Sequence, residues 1–372
     1  MKFARVDRSP IALWWWTVDR WSLFALAVLM ALGVLLSLAA SPAVALRIGF
    51  PAFYFVRRQL EVLPLSAAAM FVVSLQTPRM VRRIAVIGFA LSLLLLALTL
   101  VIGLEVKGAR RWIDLPYFTL QPSEFFKPTF AVLAAWLFAE QKLHPKFPGN
   151  IIAVLLLVVS VAILLRQPDF GTAVLVAVVW FAQFFLAGLG WYWVAAGALV
   201  GVLGLVGAYD WSPHVRVRIN EFLHPTAADS YQVNQSIAAF IHGGLWGQGP
   251  GEGTVKYFLP DAHADFVFAV AGEELGLIAC LLIVALFAFV VLRGLSRLVQ
   301  ESNLFILLAA TGLLAEFGLQ ATINMATTLR LIPAKGMTLP FLSYGGSSLL
   351  AMGLGMGMLL ALTRRRLAGG PL

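Results

Sequence analysis

The chain has 372 residues, of which 60% are hydrophobic and 12% are charged. A soluble core does not need so much apolar surface, so the composition excludes a soluble globular protein and indicates a polytopic membrane protein. The formal net charge of +9 is spread over many connections without a long basic run. It therefore excludes nucleic acid as a partner and favours anionic membrane lipid and phosphate-bearing ligands.

The two ends of the chain are predicted to be short segments outside the membrane core. Residues 1–22 combine basic side chains with a cluster of three tryptophans and lack a cleavage site after a short apolar core. We interpret them as a cytoplasmic, interfacial segment rather than a signal peptide. Residues 364–372 are predicted to form a cytoplasmic tail.

Residues 23–363 are predicted to form one transmembrane domain, because windows of about 20 apolar residues recur ten times along them. The predicted fold class is therefore all-α, with ten transmembrane helices. A large loop, residues 209–264, lies between the seventh and the eighth. The predicted spans are Leu23–Ala45, Leu60–Leu75, Ile84–Gly103, Ser123–Ala139, Ile151–Leu165, Gly171–Leu189, Trp191–Ala208, Phe266–Leu292, Asn303–Met325 and Gly345–Leu362.

Polar stretches rich in glycine, proline and charge all fall on one side of the predicted membrane. They are Lys107–Glu124, Arg166–Thr172, Trp211–Asp265 and Arg330–Ser348. The opposite side carries short connections flanked by lysine and arginine. The positive-inside rule then predicts that both termini are cytoplasmic and that the polar stretches are extracytoplasmic.

Two groups of charges flank the start of the fourth span. Arg110 and Arg111 offer guanidinium forks suited to a diphosphate, and they are equally typical of an aromatic-anchored membrane edge. Glu124 and Lys127 are three residues apart on one helix face, so an ion pair is expected between them. Two charges inside a span also tend to face a cavity rather than lipid.

Three aspartates are predicted to lie where membrane helices begin. Asp169 is expected to cap the sixth span, and Asp261 to cap the eighth. For Asp265, one turn later, two roles stay open: a first-turn acid favoured by the helix dipole, or a catalytic group. The Asp-x-His-x-Asp pattern that ends at Asp265 has no firm metal-ligand spacing.

The glycines around the start of the eighth span predict close backbone approach. The glycine-rich segment Gly243–Gly251 could come close to a phosphate or a sugar, a weak signal taken alone. Gly272 and Gly276 share the helical face of Asp265, so another helix or a lipid tail is expected to contact that face.

Two further predictions concern groups at membrane depth. Glu273 needs a cation, and Lys127 is predicted to supply it because both lie at similar depth in helices entering from one side. The prolines, glycines and serines of Arg330–Ser348 are typical of a re-entrant or cavity-lining segment, since exposed backbone at membrane depth must be buried in protein.

Seven motifs occur in order between Gly108 and Ser348: GARRWI, QPSEFFK, QPDFGTA, YQVNQS, GGLWGQGPGEGTVK, LPDAHADFVFAVAGEELG and IPAKGMTLPFLSYGGSS. On these motifs the chain resembles the SEDS family of cell-wall polymerases (FtsW, RodA and SpoVE). The GPGEGTVK and PAKGMTLPFLSYGGSS stretches and the GMGMLLALTRRR end are most similar to the septal, FtsW-type members. Ala264 and Asp261 stand where threonine and glutamate are frequent in relatives, and neither departure removes a titratable group.

The resemblance implies a ten-helix SEDS fold and an activity. That activity is inverting polymerisation of lipid II, an undecaprenyl-diphosphate-linked disaccharide-peptide, into glycan strands outside the membrane. The family's essential aspartate matches Asp265, and a general base there suits the acceptor hydroxyl. Basic side chains, with or without a divalent cation (Mg²⁺ or Mn²⁺), would stabilise the leaving diphosphate. The candidate substrate-binding residues are Arg110, Arg111, Lys127, Arg216, Lys335 and Ser343.

The resemblance also implies partners and a location. They are a class B penicillin-binding protein that supplies the transpeptidase step, other divisome membrane proteins, membrane lipid, and the bacterial inner membrane at the division septum. Three alternatives stay open: a lipid II flippase using Glu124, Lys127 and Glu273 as a transport path, a non-catalytic divisome scaffold, and the elongation-type (RodA) polymerase. The one-sided distribution of motifs favours an enzyme acting outside the membrane.

Overall fold

The structure is a computed structural model that describes residues 9–106, 108–116, 118–188, 190–211, 213–223, 231–333 and 336–365. Within these ranges the chain forms thirteen α-helices and three short antiparallel strands. The helices are α1 (Pro10–Thr17), α2 (Arg20–Ala45), α3 (Tyr54–Ser74), α4 (Pro78–Ile102), α5 (Pro122–Leu143), α6 (Gly149–Arg166), α7 (Phe170–Leu186), α8 (Trp191–Trp211), α9 (Pro213–Leu223), α10 (Tyr231–Gly243), α11 (Val267–Leu298), α12 (Leu304–Thr328) and α13 (Gly346–Leu362). The strands are β1 (Leu104–Val106), β2 (Ala109–Asp114) and β3 (Thr119–Leu120).

A helix lies at each of the ten predicted spans, and the observed bounds extend most of them by a few residues. In the part of the chain that the structure describes, six helices are long and apolar enough to cross a membrane, namely α2, α4, α6, α8, α11 and α12. Two more, α7 and α13, are apolar but shorter. The remaining two, α3 and α5, carry charged side chains. The chain is therefore a mainly helical, multi-pass membrane protein, and the count of ten spans stays a prediction.

Helix α5 lies at the centre of the bundle. It packs against α4, α6, α7, α12 and α13, and nearly all of its residues from Pro122 to Ala139 are buried. A helix surrounded by protein can hold charges that lipid would not tolerate, because neighbouring helices supply their partners. This position explains how Glu124 and Lys127 are buried within a membrane bundle.

The predicted large loop between the seventh and eighth spans contains two helices, α9 and α10. Helix α10 packs along the first turns of α11. A side chain at Gly272 would overlap the ring of Phe240 on α10, so the expected close approach to this face is confirmed, with a helix as the neighbour. The loop therefore contributes a packed wall to the bundle.

The connection from α12 to α13 enters the bundle, as predicted for a cavity-lining segment. Leu339, Phe341 and Leu342 are buried, and a side chain at Gly33 would overlap the carbonyl oxygen of Phe341. Gly33 lies about 20 Å along α2 from Arg20, at 1.5 Å per residue. The connection therefore reaches the middle of α2, with its backbone buried in protein.

The two described chain ends meet at one end of the bundle, which we call the terminal end; the opposite end is the cavity end. Trp14 of α1 donates from Nε1 to Ser74 Oγ at 2.8 Å. Arg364 donates from Nε to Thr17 Oγ1 at 3.0 Å, and the Arg365 amide donates to Thr17 O at 3.0 Å. The first and last described segments are thus joined directly.

Candidate active site

A cavity of about 660 Å³ opens at the cavity end of the bundle. Three of the four polar stretches line it: the strands before α5, the segment before α11, and the connection between α12 and α13. The fourth stretch, before α7, is joined to the wall through Arg111. Among the lining residues are Arg111, Gln121, Asp261, His263, Asp265 and Ser348.

The backbone around Asp265 is fixed from two directions. Asn324 of α12 donates from Nδ2 to Asp265 O at 2.9 Å and to Met337 O at 2.6 Å. Ser343 donates from Oγ to Ala264 O at 2.6 Å and accepts from the Leu339 amide at 2.7 Å. Because these partners are buried side chains, the Asp265 carboxylate is held at the cavity wall with little backbone freedom.

The start of α11 corrects two predictions. The N-cap residue is Phe266, which makes no side-chain capping bond, so Asp261 is not the cap. Asp261 instead adopts φ +52°, and its carbonyl oxygen accepts from the amides of Ala264 and Phe266 at 3.0 and 3.4 Å. This turn delays the helix, which places Asp265 before the N-cap rather than in the first turn.

An aromatic group supports the same turn. The His263 ring stacks on Phe55, with centroids 4.0 Å apart, and lies 5.4 Å from the ring of Tyr344. The Tyr344 amide donates to His263 O at 2.9 Å. Burial raises the pKa of the Tyr344 phenol above its ordinary value, so this group stays protonated at neutral pH.

Of the two adjacent arginines, Arg111 lines the cavity and Arg110 does not. Arg111 donates from Nε to Gln167 O at 3.1 Å and also bonds Pro168 O. Its Nη1 lies 3.7 Å from Asp169 Oδ1. Arg110 Nη2 lies 3.1 Å from Oε2 of the exposed Glu105. Arg110 is not among the residues that line the cavity.

Asp169 is confirmed as the cap of α7. Its Oδ1 accepts from the Thr172 amide at 3.4 Å. The same carboxylate faces Arg111, so the cap also connects the turn before α7 to β2. This contact joins the fourth polar stretch to the cavity wall.

Lys127 lies beneath the cavity rather than in it. Its Nζ donates to Glu124 Oε2 at 3.0 Å and to Gln320 Oε1 at 2.7 Å, so the expected pair with Glu124 is confirmed. Gln320 donates from Nε2 to Thr338 O at 3.0 Å, and Thr338 Oγ1 lies 2.7 Å from Ser348 Oγ. Since Thr338 and Ser348 line the cavity, this chain of hydrogen bonds connects the buried lysine to it.

The prediction that Glu273 pairs with Lys127 is wrong. Glu273 is fully buried, and its Oε1 accepts from the amides of Thr254 and Val255 at 2.7 Å. Its Oε2 accepts from the Lys256 amide at 2.9 Å, and His242 Nδ1 lies 2.9 Å from Oε1. The three amides belong to residues 244–256 of the connection between α10 and α11, which we call the glycine-rich loop, and the histidine belongs to α10. Sequence spacing alone did not indicate this source.

The glycine-rich loop therefore binds the protein's own carboxylates instead of lining the cavity. Glu274, next to Glu273, pairs with Lys256 Nζ and accepts from the Gly251 amide. The three successive amides around the Glu273 carboxylate, from residues 254 to 256, form an anion-binding nest. The backbone of Gly247 lies so close to α11 that a side chain there would overlap Glu274 O.

The other candidate residues lie in different settings. Arg216 is exposed on α9, donates to backbone oxygens of Tyr209 and Asp210, and is not among the cavity residues. Lys335 lies outside the described residues. Ser343 is buried and holds the backbone next to Asp265, so it is not a cavity residue itself. Among the described residues, no three His, Cys, Asp or Glu side chains are placed to hold a metal ion.

Sequence reasoning missed a polar stripe on α12. Glu316, Gln320 and Asn324 recur every four residues in an otherwise apolar helix, and all three are buried. Polar residues four positions apart share one face of a helix, so this spacing is the sequence signal that indicates the stripe. Gln320 and Asn324 bond the cavity segments, whereas the Glu316 carboxylate has no hydrogen-bond partner within the part of the chain that the structure describes.

The profile of the FtsW, RodA and SpoVE family, described as "Cell cycle protein", matches residues 20–367. The chain belongs to this family, the SEDS family. A Caulobacter vibrioides protein named "Probable peptidoglycan glycosyltransferase FtsW" is 46% identical over 98% of this chain and 94% of its own length. A Coxiella burnetii protein of the same name is 39% identical over 93% of this chain and 96% of its own length.

Solved structures agree with this assignment. A chain from the work described as "Structural coordination of polymerization and crosslinking by a peptidoglycan synthase complex" superposes with a TM-score of 0.76 at 29% identity. It covers 93% of this chain and 97% of its own length. Thermus thermophilus RodA superposes with a TM-score of 0.68 at 27% identity, over 94% of this chain and 97% of RodA. The fold is therefore that of the SEDS family, and sequence identity is highest, among these four, to the FtsW proteins.

Proposed function

We propose that the chain is a septal peptidoglycan glycosyltransferase that polymerises lipid II, with Asp265 as the general base. The observation that carries the proposal is the position of Asp265 on the wall of a large cavity, with its backbone fixed by Asn324 and its neighbour fixed by Ser343. The similarity to proteins named as FtsW glycosyltransferases supports the activity.

The reaction needs a base and a group that stabilises negative charge. The Asp265 carboxylate takes the proton from the acceptor 4-hydroxyl, and that oxygen attacks the anomeric carbon of the donor. The bond from the anomeric carbon to the diphosphate breaks, the configuration inverts, and undecaprenyl diphosphate leaves with the electron pair. Arg111 lines the cavity and is suited to stabilise the charge on this leaving group.

A divalent cation that enters the cavity bound to the diphosphate of the substrate is compatible with the lining residues. Asp261 is the second carboxylate that lines it, and Mg²⁺ is commonly bound by one or two carboxylates together with substrate phosphates. We propose that Asp261 would hold such an ion beside the diphosphate. The ion would supply charge neutralisation at the leaving group.

Location and partner follow from the same proposal. Lipid II polymerisation outside the inner membrane requires the cavity end to be extracytoplasmic and both chain ends to be cytoplasmic. The likeness to a chain of a peptidoglycan synthase complex supports a class B penicillin-binding protein as the partner that crosslinks the product. We place the complex, with other divisome membrane proteins, at the division septum.

The test uses the purified chain with its penicillin-binding partner and lipid II in detergent, with glycan polymer as the readout. We expect Asp265→Asn to lower the polymerisation rate by on the order of 10²–10⁴, the usual contribution of a general base. Its folding and partner binding should persist, because the Asp265 contact of Asn324 is to the backbone. Asp261→Asn removes the proposed ion-binding carboxylate but leaves the base in place, so it is a graded comparison rather than a neutral control and should lose less activity than Asp265→Asn.

Near-normal polymer from the Asp265→Asn protein would overturn the catalytic assignment. The flippase and scaffold alternatives would then gain weight, and an assay of lipid II transport into vesicles would distinguish between them.

The septal assignment is tested separately with the unchanged chain. Polymer made with an elongation-type partner but not with a septal one would favour the RodA-type alternative.

A further inference from the structure

A second cavity, of about 570 Å³, lies at the terminal end of the bundle, far from the polar stretches. The junction of α1 and α2, the last turns of α11 and residue 365 form its walls. Among the described residues, its charged lining consists of four arginines (Arg20, Arg293, Arg297 and Arg365) and the single acid Asp19. Four positive charges against one negative charge leave an excess of three, which favours an anionic ligand.

Asp19 organises two of these arginines. Its carboxylate is almost fully buried, and Oδ2 lies 2.7 Å from Arg293 Nε and 3.1 Å from Arg297 Nε. Ser22 Oγ donates to the same carboxylate at 2.9 Å. Each guanidinium carries five N–H donors, so the contact with Asp19 fixes each group without exhausting its donors. One buried acid thus preorganises two cations at the cavity wall.

The other two arginines lie outside this cluster of ion pairs. Within the described residues, no acidic side chain pairs with Arg20 or Arg365. The guanidinium of Arg20 lies 5.8 Å from the ring centroid of Trp15 and 5.7 Å from that of Trp16, so cation–π contacts hold it at the membrane surface. Arg365 is exposed, and its backbone amide bonds Thr17.

The rim of the cavity identifies the source of the anion. Trp21 and Phe24, on the first turns of α2, line the cavity and are each 63% exposed. Large aromatic side chains at the end of a membrane helix lie at the level of lipid headgroups. A ligand here would therefore meet arginines on one side and lipid-facing aromatic rings on the other.

We propose that this cavity binds the phosphate headgroup of an anionic phospholipid, with the acyl chains along Trp21 and Phe24. Guanidinium groups bind phosphate oxygens in paired hydrogen bonds, and basic pockets between membrane helices are suited to such headgroups. The site is separate from the candidate active site, since no described residue lines both cavities.

The test titrates the delipidated full chain, in neutral detergent, with phosphatidylglycerol, phosphatidylcholine or sn-glycerol 3-phosphate. Binding is read by native mass spectrometry and by the thermal unfolding midpoint. We expect saturable binding and a raised midpoint with phosphatidylglycerol only. The double variant Arg20→Gln/Arg365→Gln should weaken that binding by at least about tenfold, since each basic residue near a lipid surface contributes measurably.

The matched control is Arg79→Gln/Arg83→Gln, which removes two positive charges from the start of α4 at the same end of the bundle. Equal weakening in both double variants would show a general surface charge effect and overturn the proposal. An equal response to glycerol phosphate would show a soluble phosphate ligand and overturn the assignment to lipid. If the first double variant does not fold in the neutral detergent, Arg365→Gln alone is compared with Arg79→Gln by the same criteria.

Discussion

At the scale of single residues, Lys127 shows how the bundle holds a charge at membrane depth. Its side chain is 2% exposed, and it has two specific partners, Glu124 and Gln320. Removing one partner of a buried pair leaves an uncompensated charge, which costs on the order of 3–5 kcal/mol. The stability of a double variant that includes Lys127 therefore depends on whether the second residue is one of its partners.

We expect Lys127→Met to lower the thermal unfolding midpoint strongly and Glu124→Gln, added to it, to recover part of the loss. Direct partners typically couple by about 0.5–3 kcal/mol. Lys127→Met combined with Glu273→Gln should be additive within roughly 0.5 kcal/mol, because the two residues share no partner. Thermal unfolding of the single and double variants measures both cycles, and coupling confined to the Glu273 cycle would contradict the structure.

Asp19 gives a residue-scale prediction about pH. Burial opposes the charged form, but hydrogen bonds from Arg293 and Ser22 and the charge of Arg297 outweigh it and lower the pKa of Asp19. A carboxyl whose pKa is lower in the folded state stabilises that state above its unfolded pKa. That stability is lost as the pH falls through the folded pKa.

The protein should therefore be more stable than its Asp19→Asn variant at neutral pH. The difference in unfolding midpoint should stay constant down to about pH 5 and shrink below the unfolded pKa of about 3.9. Glu61→Gln is the control, since the exposed ion pairs of Glu61 with Arg57 and Arg58 should contribute little at any pH. A difference that grows as the pH falls would contradict the contacts assigned to Asp19.

At the scale of elements, helix α11 is interrupted at Gly276, and the glycine-rich loop supplies the hydrogen bonds that are lost there. Gly276 adopts φ +79° and ψ 178°, which breaks the helical hydrogen-bond ladder. The carbonyls of Glu273 and Glu274 accept instead from the loop amides of Gln248 and Gly249, at 2.9 and 3.0 Å. The amide of the residue after Gly276 bonds Gly244 O at 3.0 Å. The loop thus satisfies the backbone groups that the kink releases.

Gly276→Ala should destabilise the protein by more than a typical helix substitution. The backbone conformation at Gly276 is almost restricted to glycine, at a cost of order 1–3 kcal/mol for other residues, and a Cβ would overlap the loop. We expect a lower unfolding midpoint and faster amide hydrogen exchange in the loop. Gly201→Ala on α8, where a Cβ meets nothing within 4 Å, should be neutral or slightly stabilising.

How far the sequence predicts these elements depends on the kind of signal. Hydropathy predicted a helix at each place where the structure has one of the apolar helices, because a run of apolar residues has one stable conformation in lipid, whereas the count of ten membrane spans stays a prediction. The nest around Glu273 and the kink at Gly276 were missed, because both arise from contacts between segments and from a backbone angle that residue types do not encode. The cap at Asp169 was predicted correctly and the cap at Asp261 was not, because a turn after Asp261 delays α11.

At the scale of the whole molecule, the polar stretches converge at one end, and the candidate site was partly predictable for that reason. Counting apolar spans along the sequence is enough to put Asp265 and Arg111 on one side of the membrane. Which arginine faces the cavity depends on the register of β2, and the contacts of Ser343 depend on how the last connection folds into the bundle. Those details need the tertiary structure.

The orientation of the molecule is tested by thiol labelling. In a Cys280→Ala background, Glu252→Cys adds a thiol to the exposed part of the glycine-rich loop, and Gln300→Cys adds one to the connection between α11 and α12. We expect an impermeant maleimide to label Glu252→Cys in intact spheroplasts and Gln300→Cys only after lysis. The reverse pattern would show that the cavity end faces the cytoplasm.

The contact between the two described chain ends means that the protein is suited to circular permutation. Because Thr17 touches Arg364 and Arg365, a short linker could join residue 365 to residue 9 without moving a helix. New ends could then be opened in the connection between α5 and α6, which lies at the same end of the bundle. Such a circular permutant would keep both ends on one side of the membrane. Its activity would show that the order in which helices are synthesised is separable from the packing they reach.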